Sequence, residues 1–146
     1  MKTFYFFAFL CISLKISGQI VIPYDEIVVS LNDSNCFGYT PIYAEKVDTI
    51  YYHVLLESYF ISDTVKLFSN DSLIFNEVVN TDHSLGFAKE IIVGSVEQVT
   101  NFKLKINNYT TINCSLLPDF NYIRVGLSWD RLTLILCYSM YHPIYY

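Results

Sequence analysis

Phe102-Lys103-Leu104-Lys105-Ile106 is the stretch that most constrains what this chain can fold into. Apolar and charged residues alternate there without a break. Successive side chains of a β-strand point to opposite faces, so a strand sorts this pattern and a helix scrambles it. Asn107-Asn108 then marks a turn, and residues 110–116 alternate back with Ile112, Cys114 and Leu116 on one side. The two runs predict an antiparallel hairpin with one apolar face.

The same grammar recurs on either side. Val65-Lys66-Leu67-Phe68 and Ser72 to Val79 flank Ser69-Asn70-Asp71. Asn and Asp suit such turns because they tolerate left-handed backbone angles and bond their own backbone. Residues 122–125 and 132–138 flank a loop from Gly126 to Asp130. Single strands are predicted over 53–61 and 90–93, with a loop at 81–86 between the first and second hairpins. The N-terminal third is less regular. It offers two β-like runs within 19–31, then a long loop over 32–49 with a short strand near Tyr39–Tyr43. At the other end, Pro143 restricts the last segment to a sheet edge or a tail.

Turn signals fall every 8–14 residues or so, and no helical period runs through residues 19–146. Hairpins with one apolar face need a second apolar layer. The chain is therefore expected to be all-β, a single antiparallel β-sandwich over residues 19–146. The order of three hairpins resembles immunoglobulin-like sandwiches in outline. It lacks their Cys, then Trp, then Cys spacing: Trp129 follows Cys114 and lies only eight residues before Cys137.

Residues 1–18 read differently. Lys2 precedes an aromatic and aliphatic run from Phe4 to Leu14, which Lys15 ends after roughly 12 residues, short of the ~20 of a membrane span. Small residues at Ser17 and Gly18 place a signal-peptide cleavage before Gln19. The expectation is export to a secreted, periplasmic or cell-surface location, with no stable transmembrane anchor after cleavage. Cys36, Cys114 and Cys137 then remain, an odd set that allows one internal disulfide among three possible pairings.

The formal charge of −5 becomes more negative once Lys2 and Lys15 leave with the signal. The remaining cations, from Lys46 to Arg131, are scattered, so no basic footprint for nucleic acid exists. His53, His83 and His142 fall in no metal or catalytic spacing. Gly126-Leu127-Ser128-Trp129-Asp130 approaches a nucleophile elbow but has Asp130 where that turn needs Gly, and strands on both sides. Asn32-Asp33-Ser34-Asn35 carries oxygen ligands without the Gly and terminal Glu of a calcium loop. No catalytic residue, metal site or cofactor is assigned.

Aromatic residues carry more: 13 Tyr, 11 Phe and a single Trp. Trp129 in a predicted loop, with Tyr39 and Tyr43 in the irregular region, is the set of candidate stacking residues. Four Asn-x-Ser/Thr acceptors, at Asn32, Asn70, Asn108 and Asn113, matter only in a eukaryotic secretory route. The expected role is a non-enzymatic interaction or structural module that contacts a protein through a sheet edge or aromatic loops. A carbohydrate-binding module using exposed Tyr and Trp side chains is the alternative, and a small hydrolase comes third.

Overall fold

The structure is a computed structural model that describes residues 26–31, 42–43, 48–109 and 111–145. Among these residues every element is a strand. A five-stranded sheet contains β1 (Glu26–Leu31), β10 (Thr133–Ser139), β9 (Tyr122–Leu127), β3 (Tyr51–Leu56) and β6 (Lys89–Ser95), in that order. A four-stranded sheet runs β5 (Ser72–Val79), β4 (Asp63–Ser69), β7 (Phe102–Ile106), β8 (Ile112–Cys114). β2 (Ile42–Tyr43) and β11 (Pro143–Ile144) form a two-stranded ribbon.

The three expected hairpins form: β4–β5, β7–β8 and β9–β10. Asn70 and Asp71 both have positive φ, 47° and 63°, the signature of a two-residue type I′ turn whose twist matches the strands it joins. Pro143 sits in the edge ribbon, where its missing N–H costs no ladder bond.

The sheets are mostly rather than wholly antiparallel. β1 pairs parallel with β10, and β3 pairs parallel with β9. Hairpin signals report sequence neighbours; these two pairs join segments far apart in the chain, which turn chemistry cannot announce. The strand expected over 53–61 also ends early, at Leu56, because Tyr59 and Ser62 take positive φ and turn the chain toward β4.

One core lies between the sheets. Val54, Ile123, Val125, Leu134 and Leu136 from the larger sheet meet Val65, Leu67, Phe102, Leu104 and Ile106 from the smaller. Each such side chain contributes roughly 1.5–3 kcal/mol by leaving water. At the rim, β6 bulges opposite Tyr52/His53, and Gly94 there has φ 149° with Val99 packed where a Cβ would stand, 2.7 Å away. A bulge on an edge strand also discourages pairing with another sheet.

Candidate functional site

Strands β3 and β9 end, and β4 and β10 begin, at the same end of the sandwich. The loops there are tied at their bases. Leu127 N–H donates to Ser58 O at 2.9 Å, and Arg131 pairs with the buried Asp63. The Thr81 hydroxyl donates to Glu57 O while accepting from Phe60 N–H. Three loops are thereby locked together.

Trp129 stands at the tip of the β9–β10 loop, 78% exposed. The loop is held by its own side chains. Ser128 Oγ bonds the Asp130 carboxylate and accepts from Thr133 N–H at 3.0 Å; Asp130 Oδ1 accepts from Leu132 N–H at 3.0 Å. The Ser128 hydroxyl and the Leu132 amide hold the Asp130 carboxyl below its ordinary range. This resolves the near-elbow at residues 126–130: Ser128 is engaged as a brace. Around the tip, Tyr59, Ile61 and Leu132 are exposed. Tyr59, Ser62 and Arg131 hold φ of 65°, 53° and 63°, a conformation that costs a bulky side chain energy and persists only where neighbours enforce it.

A second constellation lies on the outer face of the five-stranded sheet. His53, buried on β3, puts Nδ1 2.7 Å from Glu90 Oε1 and Nε2 3.0 Å from Asp48 Oδ2. His142 reaches the other Glu90 oxygen at 3.1 Å. Tyr122 stacks on His53, takes the edge of His142, and accepts Asp48 N–H at 2.9 Å. Burial pushes the Tyr122 phenol up, while the amide of Ile50 draws the Asp48 carboxyl down. Nearby, Arg124 Nε and Nη2 clasp Glu57 at 2.6 and 3.0 Å with both side chains essentially sealed, and the Tyr145 hydroxyl donates to the same carboxylate at 2.6 Å. Sequence spacing could not find these groups. They come from six segments, and the short-range signal of each is only an isolated polar residue within an apolar run.

Only some of the other expected residues fall among the described ones. Tyr39 lies outside the described residues, as do Cys36, Asn32–Asn35 and the signal region; Tyr43 is placed only through the backbone of β2. Cys137 is disulfide-bonded, and Cys114 is a free thiol buried in the core. Burial pushes the Cys114 thiol to about 12, which keeps it un-ionised and unreactive at neutral pH. His83 is exposed on the 81–86 loop. Among the described residues no group of three His, Cys, Asp or Glu is placed to hold a metal ion, and no helix is long and apolar enough to cross a membrane.

At the end opposite Trp129, a cavity of about 560 Å³ opens between the starts of β3 and β9 and the ends of β6 and β10. Comparison with protein-family models, curated proteins and solved structures finds no match to this chain.

Proposed function

We propose that this chain is an exported, non-enzymatic interaction module, immunoglobulin-like in outline, that engages a protein partner through the loop end carrying Trp129. The observation that carries the reading is the indole itself. A large apolar ring stands in water at the tip of a loop whose Ser128–Asp130 brace and Arg131–Asp63 tie leave it little freedom. Tyr and Trp held rigid in this way dominate interface energetics, because little conformational entropy is lost on docking. Ile61, Tyr59 and Leu132 around it supply an apolar surface for the partner to cover. Export is supported by the signal-like residues 1–18 and by the disulfide at Cys137, a bond that persists in oxidising compartments.

A photo-crosslinking residue at Leu132 in the native host identifies the partner, and titration of the purified pair gives the affinity. Trp129→Ala is expected to weaken binding at least ~30-fold, the mark of a hot-spot residue, and to leave the thermal midpoint unchanged. Equal affinity in the variant removes this reading. N-terminal sequencing of the natural product tests export: Gln19 is expected first.

A further inference from the structure

We propose that the outer face of the four-stranded sheet docks an acidic peptide strand, one that carries Asp or Glu at alternate positions. The described residues hold six Lys and Arg side chains: Lys66, Lys89, Lys103, Lys105, Arg124 and Arg131. Three of them, Lys66, Lys103 and Lys105, stand on this one face, although the whole chain has a net charge of −5. The sequence hides the cluster, because Lys66 belongs to β4 and the other two to β7.

The remaining three cations each have a carboxylate. Lys89 pairs with Glu77, Arg124 with Glu57 and Arg131 with Asp63. On the outer face the balance is different. Asp71, at the β4–β5 turn, pairs with Lys103. Lys66 and Lys105 have no ion-pair partner among the described residues. Asp63 and Glu77 lie on the same sheet but on its core side, opposite Val79 and Val65.

This arrangement works against the fold. Lys66 and Lys105 stand directly opposite each other in register, and like charges so placed on neighbouring strands repel. Lys103 is two residues along β7 from Lys105, about 6.8 Å away on the same face. All three side chains are half-buried, so their stems lie along the sheet and keep the ammonium groups close. A fold with no use for the cluster gains by exchanging one lysine for a neutral side chain. An anion laid across it turns the repulsion into binding.

The geometry selects the anion. Alternate residues of an extended chain recur on one face every ~6.8 Å, which is the Lys103–Lys105 spacing. Two acidic residues of one strand therefore meet both lysines at once, and Lys66 flanks the second. Phe68 stands opposite Lys103, with Leu73 beyond it. A shallow hollow of about 340 Å³ between Phe68, Asp71, Lys103 and Thr111 takes a further side chain of the docked strand. Duplex nucleic acid presents one charge per ~1.7 Å, far denser than three lysines match. The negative charge of the whole chain opposes nucleic acid and an anionic bilayer alike.

The test uses the full exported chain, labelled with ¹⁵N, and a seven-residue probe peptide with Glu at its second, fourth and sixth positions. In low salt the peptide is expected to give saturable shifts at Lys66, Phe68, Lys103 and Lys105 while the Trp129 indole stays still. Its counterpart with Gln at those positions is expected to give none. Lys66→Gln combined with Lys105→Gln is expected to weaken the Glu peptide at least ~5-fold and to keep or raise the thermal midpoint, since the repulsive pair is gone. Asp71→Asn is expected to tighten it ~2–3-fold, because Lys103 loses its internal competitor and asparagine suits the positive φ of that turn. Absence of saturable shifts with the Glu peptide, equal shifts with the Gln peptide, shifts centred on Trp129, full affinity in the double lysine variant, or equal or weaker affinity in Asp71→Asn each overturns the proposal. Tighter binding of trigalacturonate or of phosphatidylglycerol vesicles than of the peptide overturns it as well, by assigning the face to a glycan or a membrane.

Discussion

The two sheets treat their outer faces in opposite ways. On the four-stranded sheet, β4 and β7 alternate buried with half-buried residues along their length, and Lys66, Phe68, Lys103 and Lys105 face outward. On the five-stranded sheet, β9 is buried at all six positions and β3 at all but Tyr51. The difference is the chain end. Residues 142–145 lie along that outer face, with Tyr145 stacked on Phe87 and bonded to Glu57, and His142 bonded to Glu90. Solvent therefore solvates one outer face, while the other must satisfy its polar groups internally. The Glu57–Arg124 clasp and the Asp48–His53–Glu90 contacts are how it does so.

The comparison breaks most sharply at Arg124. Arg124→Met leaves the Glu57 carboxylate sealed from water without its guanidinium, a loss expected to cost about 3–5 kcal/mol in urea unfolding. Adding Glu57→Leu to that variant should recover much of the loss, because a well-packed apolar pair replaces a buried ionic one at little net cost. Lys66→Met on the opposite sheet should stay within ~0.5 kcal/mol of the parent. A cost below 1 kcal/mol for Arg124→Met means that water reaches Glu57 and the two faces are alike after all.

This asymmetry also decides how much of the molecule is legible in its sequence. Phe102 to Ile106 alternates because water stands on one side of it, so strand, face and hairpin all follow from the text. Val54-Leu55-Leu56 and Tyr122-Ile123-Arg124-Val125 carry no alternation, since both their faces are covered. A run of that kind reveals a strand but not its neighbours. The parallel pairings of β1 with β10 and β3 with β9 were therefore out of reach. Trp129 was legible as a loop aromatic because turn residues flank it. The cavity wall was not: Thr49, Tyr52, Asp119, Asn121 and Tyr141 come from three separate connections and one strand start, and only the closed sandwich assembles them.

A smaller effect tests the covered face by pH. Asp48 Oδ1 accepts from Ile50 N–H at 2.7 Å and Tyr51 N–H at 3.2 Å, and Oδ2 meets His53. These contacts, the Ile50 amide foremost, hold the carboxyl below the ordinary 3.8. A carboxylate with a depressed folded value stabilises the fold fully above its unfolded value and loses that contribution as the pH falls through the folded one. Asp48→Asn is thus expected to be less stable than the parent by about 1 kcal/mol at pH 7, a figure discounted for the partial exposure of the side chain. The gap should close below about pH 3.8 in thermal melts run across the acid range. A gap that persists unchanged at low pH assigns the loss to packing instead of charge.

The smallest effect belongs to the wet face, and its sign is the useful part. Lys66 and Lys105 stand directly opposite each other on β4 and β7. Like charges in register across a ladder repel, and opposite charges there are worth roughly 0.2–1 kcal/mol. Lys105→Glu should therefore stabilise the protein by a few tenths of a kcal/mol in low salt. The gain should fade as salt is raised, since a solvated pair is screened over about 10 Å at 0.1 M. A charge reversal of that kind on the covered face would bury an unmatched carboxylate and unfold the sheet. That a reversal helps one outer face while the other cannot tolerate the loss of one guanidinium is the physical meaning of having one side of the sandwich in water and the other under its own chain end.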